Sequence, residues 1–112
     1  MHNRHTDQSY MMTFLKMQNE VIIPYLRQVI HPIELNSVFC IYEMFEQYEN
    51  IYTYLVNGDT VVIFEISLLD QSILHDRTVP IREYAQELKG KQWHRYVKEL
   101  QGFAERIDSQ VK

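Results

Sequence analysis

The chain has 112 residues, of which 46% are apolar, 12% aromatic and 23% charged. That balance fits one folded domain and excludes a disordered or collagen-like chain. The net charge of −4 is unevenly spread: residues 37–76 hold seven acids and no Lys or Arg, whereas eight basic residues and five acids follow from Arg77 onward, a partition that argues against a uniformly basic nucleic-acid binder.

Residues 1–6 read as a frayed start, and Thr6, Asp7 or Ser9 can cap a helix. Met11, Phe14, Leu15, Val21, Ile22, Tyr25, Leu26 and Val29 then recur at steps of three and four, the spacing of an amphipathic helix. Pro24 lies within it, so the helix is expected to kink or break there. Pro32 ends it, because the residue before a proline is pushed toward extended geometry.

Three strands follow. The segments 37–45 (SVFCIYEMF), 50–56 (NIYTYLV) and 60–68 (TVVIFEISL) are rich in β-branched and aromatic residues. Asn57-Gly58 between the last two marks a hairpin, since a type I′ turn needs positive φ at both central positions. Residues 69–78 show no firm period and read as a loop or one helical turn. A helical stripe returns with Ile81, Tyr84, Ala85 and Leu88 and continues through Trp93, Tyr96, Val97, Leu100 and Phe103. Gly90 either divides this segment into a helix pair or is tolerated inside one helix at about 1 kcal/mol relative to Ala. The expected fold is α+β: a single α-βββ-α domain over 1–112, with a three-stranded antiparallel sheet and both helical segments on one face.

The hairpin sets an expected register. A two-residue loop places Tyr54 opposite Val61, Tyr52 opposite Ile63 and Asn50 opposite Glu65. The alternate face, with Ile51 opposite Phe64 and Leu55 opposite Thr60, is the more apolar and is assigned to the core. Tyr52, Tyr54, Asn50, Asp59 and Glu65 then face outward together. A three-residue loop with a bulge would shift the register by one and exchange partners.

The candidate chemistry is sparse. The five histidines show neither HExxH nor any other metal-ligand spacing, so no metal is expected. No glycine-rich phosphate loop is present and no cofactor is expected, because the three glycines are Gly58, Gly90 and Gly102. Glu43 and Glu65 are carboxylates that a sheet can bring face to face for acid–base work, but nothing in their spacing requires it. Cys40 is the sole cysteine, lies in an apolar run and has no base nearby in sequence, so it reads as a buried thiol. The start of the chain lacks the apolar core of a signal peptide, and the apolar runs fall far short of the roughly 20 residues that span a bilayer. The expected setting is the cytoplasm, without membrane contact.

The positive feature is the acidic, tyrosine-rich middle. Tyrosine offers large contact area with few torsions to freeze, and acids without basic neighbours suit a basic surface. The sequence therefore points to a non-enzymatic binding or regulatory protein, of the immunity, antitoxin, inhibitor or chaperone kind, that engages a basic protein through Tyr52, Tyr54, Asp59, Glu65 and Asn50. The alternatives are a nucleic-acid-binding regulator using Arg82, Lys89, Lys91, Arg95, Lys98 and Arg106 around Trp93, and a homodimer through a strand edge or the tyrosine face.

Overall fold

The computed structural model describes residues 12–87 and, singly, Arg95, Lys98, Glu99 and Gly102. The expected caps at Thr6, Asp7 and Ser9 and the helix break at Gly90 lie outside the described residues. The chain forms two compact units, Met1–Glu34 and Leu35–Lys112.

Among the described residues of the first unit, 12–30 form a helix, α1. It runs through Pro24 by means of a π turn at Gln18–Ile22, followed by α-helical Ile23–Ile30. The reason is local. A proline has no N–H, and its ring crowds the carbonyl four residues back, here that of Glu20. The wide turn, closed by the Ile23 N–H on the Gln18 carbonyl, gives that ring room. Ile22 and Leu26 of the expected stripe are buried, and so is Ile30, four residues further on. The helix stops where expected: His31, before Pro32, has φ −49° and ψ 136°.

The second unit is an antiparallel sheet of four strands, not three, in the order β1-β2-β3-β4. The strands are β1 Val38–Phe45, β2 Glu49–Val56, β3 Thr60–Ser67 and β4 Ile73–Pro80, and a helix α2 follows, described over Ile81–Glu87. β4 occupies most of the segment that reads as a loop in sequence. As an edge strand it buries little, and Asp76 is an extra residue between the pairs Ile63–Arg77 and Phe64–His75. That bulge breaks the period of two that would have betrayed the strand. The turn before it is held by Asp70, whose carboxylate accepts from the Ser72 N–H (3.0 Å) and hydroxyl (2.7 Å). These hydrogen bonds hold the Asp70 carboxyl below its ordinary pKa.

The β2–β3 hairpin confirms the turn chemistry and corrects the register. Asn57 (φ 55°) and Gly58 (φ 73°) both sit at positive φ, and the Asp59 N–H donates to the Val56 carbonyl at 3.2 Å. Asp59, however, does not oppose Val56; Thr60 does. The Asp59 carbonyl accepts the first N–H of α2, from Ile81, at 2.9 Å. One residue is thus diverted from the ladder to the helix start, and every later pair moves by one. Tyr52 opposes Phe64 and Tyr54 opposes Val62. The Asn57 side chain also ties the turn to the entry of β1, accepting from the N–H groups of Asn36 (2.6 Å) and Ser37 (3.2 Å).

Because side chains alternate along strands, this register defines two faces. One carries Tyr52, Tyr54, Val62, Phe64 and Ile66, all buried. The other carries Leu55 and Val61, which pack with Ile81, Tyr84 and Ala85 of α2 and with Phe39 and Ile63 of the sheet. Burying a Leu or Val side chain is worth about 1.5–3 kcal/mol, so this cluster anchors α2 over one end of its face. The Arg77 guanidinium of β4 grips the Glu87 carboxylate with both terminal nitrogens, one contact at 2.9 Å.

Candidate functional site

The five residues expected to share an outward face do not share one. Tyr52 is 2% exposed and Tyr54 is fully buried. Their rings pack on Phe64 at centroid distances of 5.7 and 5.8 Å, and lie 6.5 Å from each other. Asn50 is on the same face, and its amide donates to the Tyr52 hydroxyl at 3.3 Å. Glu65 sits on the opposite face, paired with Ile51 and Leu74. Asp59 is exposed at the far end of the hairpin, hydrogen-bonded by the Thr60 hydroxyl at 3.0 Å. The cause in each case is the one-residue shift at Asp59.

The tyrosine face is therefore interior, and its polar groups behave accordingly. Burial pushes the Tyr52 and Tyr54 phenols above their ordinary pKa. Cys40, opposite Tyr54, has its thiol pushed up to about 12 by burial and by the nearby Glu43 carboxylate, while the Tyr54 side chain hydrogen-bonds it. A thiol held protonated at neutral pH is a poor nucleophile. Glu43 pairs with Tyr52 on this face and Glu65 lies on the other, so these two carboxylates do not meet. Among the described residues no group of three His, Cys, Asp or Glu could hold a metal.

A group of exposed apolar side chains lies at one end of the sheet, where the β1–β2 and β3–β4 turns come together. The Leu68 N–H donates to the Tyr48 carbonyl at 2.8 Å, joining the two turns. Tyr48 (56% exposed), Leu69 (81%) and Leu74 (64%) stand out into solvent there, with Phe45 and Leu68 beside them. Tyr48, Glu49, Glu65, Leu69 and Leu74 line a shallow cleft of about 460 Å³. The Glu49 carboxyl is raised above its ordinary pKa by partial desolvation, by Glu46, which also hydrogen-bonds it, and by Glu65. Glu49 thus has two further carboxylates near it, Glu46 across the β1–β2 turn and Glu65 on β3, and the sequence holds no Lys or Arg between residues 37 and 76. Glu46, Tyr48 and Glu49 were visible in the sequence as part of its acidic, tyrosine-rich stretch. Leu69 and Leu74 left a fainter signal, apolar residues in a segment that otherwise reads as a loop, and Leu68 ends the expected third strand.

A second concavity, of about 1070 Å³, lies between α2 and the start of β3, with Val79, Pro80, Ile81 and Ala85 along it. Among the described residues its charged members are Asp59, Glu83, Arg82 and Lys98, two of each sign. Of the basic residues read as a nucleic-acid surface, Lys89, Lys91, Arg106 and Trp93 among them lie outside the described residues, while Arg82, Arg95 and Lys98 are exposed. No described helix is long and apolar enough to cross a membrane. No protein-family model, curated protein or solved structure matches the chain.

Proposed function

We propose that this is a non-enzymatic binding or regulatory protein of the cytoplasm that engages a basic protein through the acidic, apolar end of its sheet. The observation that supports this reading is the clustering of Glu46, Glu49 and Glu65 with exposed Tyr48, Leu69 and Leu74. Exposed apolar side chains in a contiguous patch usually mark an interaction surface. The acids around them speed encounter with a basic partner and discriminate against acidic ones. Tyr48 takes the anchoring role first assigned to Tyr52 and Tyr54, since an exposed ring gains contact area on binding and a buried one does not.

Affinity capture from a lysate tests this. Capture should fall with salt, and should fall severalfold for Tyr48→Ala and for the pair Glu49→Gln with Glu65→Gln. It should also weaken on acidification, because Glu49 loses its charge at a higher pH than an ordinary carboxylate. Unchanged capture by both variants at every salt concentration removes the reading.

A further inference from the structure

The acidic end is the far end of the sheet face whose other end carries α2. Nearest the Asn57-Gly58 turn, Leu55 and Val61 lie under Ile81, Tyr84 and Ala85. Two rows further along the strands stand Met44, Ile51, Glu65 and Leu74, one from each strand and each opposite the next. Met44 is 40% and Leu74 64% exposed, and Ile51 and Glu65 are half-buried. Glu49 is diagonal to Glu65 in the next row, and both line the cleft with Tyr48 and Leu69.

The face dictates what kind of element covers it. The N–H and C=O groups of a sheet point within its plane, toward the neighbouring strands, and not out of it. An extended segment laid across Met44, Ile51 and Leu74 would bury its own backbone groups with nothing to pair them. A helix satisfies its backbone internally and presents one apolar stripe. That is how α2 sits on Leu55 and Val61 at the other end of the same face.

Charge selects the occupant. As diagonal neighbours on adjacent strands, Glu49 and Glu65 lie roughly 7–8 Å apart. Two basic residues three or four apart on a helix, about 5–6 Å from each other at Cβ, reach both acids with their long side chains. Arg77, the one Lys or Arg of the four strands, is taken by Glu87. A second copy of the chain docking by this same face about a two-fold axis would bring Glu49 and Glu65 against their own counterparts.

Building on the binding surface proposed above, we infer that the sheet face beyond Ile81–Glu87 seats an amphipathic helix of the basic partner, its apolar stripe on Met44, Ile51 and Leu74 and its Lys or Arg residues on Glu49 and Glu65. The apolar row supplies the contact area, and the two carboxylates supply the preference for a basic helix.

The test titrates the full, isotopically labelled chain with a synthetic peptide of about 14 residues, roughly 20 Å long as a helix, that carries Leu at steps of three and four and Lys elsewhere. A second peptide has the same composition in scrambled order. So short a peptide holds little helix alone in water, so helix gained on mixing, read by far-UV circular dichroism, marks docking. The striped peptide should gain helix and shift the NMR signals of the Met44, Ile51 and Leu74 side chains. Met44→Ala with Leu74→Ala, both exposed, should leave Tm nearly unchanged and weaken the complex at least about tenfold. The scrambled peptide should bind more weakly and gain no helix. If both peptides bind equally and shift only Glu46, Tyr48, Glu49 and Glu65, the helix seat is overturned and the acidic surface stands. If neither binds even at low salt, both fall. If the Met44 and Leu74 signals shift as the protein alone is concentrated, the face belongs to a second copy and the inference is overturned.

Discussion

Replacing Tyr54 by Ala separates the two readings of the hairpin. In the expected register Tyr54 stands in solvent, and its truncation would change stability by no more than about 0.5 kcal/mol. In the structure the residue is fully buried, with its ring 5.8 Å from Phe64 and 6.5 Å from Tyr52. Truncating a buried aromatic leaves a cavity and costs about 3–5 kcal/mol, out of a total of roughly 5–15 kcal/mol for a domain. At about 4 °C per kcal/mol for a chain of this length, Tm should drop by about 12–20 °C. Thermal unfolding followed by far-UV circular dichroism reads this directly. Tyr48→Ala, at a residue 56% exposed, is the matched control and should leave Tm nearly unchanged. If the two variants shift Tm by the same small amount, Tyr54 does not lie in the interior and the argument for an extra hairpin residue fails with it.

Three further outcomes follow from the same geometry. Asn57→Ala removes the acceptor of the Asn36 and Ser37 N–H bonds and puts at φ 55° a residue without the polar side chain that lets Asn adopt the left-handed region, so it should cost about 2–3 kcal/mol in urea unfolding. Asn57→Gly keeps the backbone freedom and should cost about 1 kcal/mol less, so equal losses for Ala and Gly would exclude the conformational part. Alkaline pH should destabilise the protein, because Cys40 titrates near 12 when folded but at about 8.5 when unfolded. Above the lower value the unfolded chain binds fewer protons than the folded one, so stability falls as pH rises from about 9 to 12. Tyr54, also raised, adds to the loss above about 10; a flat urea midpoint across that range would contradict both burials. Arg77→Ala should cost no more than about 1 kcal/mol, and less in high salt, because its pair with Glu87 is exposed on both sides.

The candidate surface was half legible. The stretch from Glu46 to Asp59 stood out for its acids and tyrosines, and Glu46, Tyr48, Glu49 and Glu65 do come together at one end of the sheet. The choice among the tyrosines went wrong because it depended on parity. In a strand a slip of one residue exchanges the faces, so the single residue Asp59 decided whether Tyr52 and Tyr54 met water or Phe64. Glu43 and Glu65 illustrate the same dependence, landing on opposite faces although both lie in acidic strands.

Short-range physics determined what the sequence displays by itself. Side-chain periodicity, the missing N–H of Pro32 and the positive-φ tolerance of Asn57-Gly58 act within a few residues, so α1, three strands and the turn follow from neighbours in the chain. The absence of any Lys or Arg between residues 37 and 76 is a property of the sequence alone. Tertiary structure decided the rest. Whether Asp59 joins the ladder depends on Ile81, twenty-two residues further on, whose N–H claims its carbonyl. Whether Ile73–Pro80 is a strand depends on β3 lying alongside, because an exposed, bulged edge draws its hydrogen bonds from its neighbour and shows little of that in its own composition.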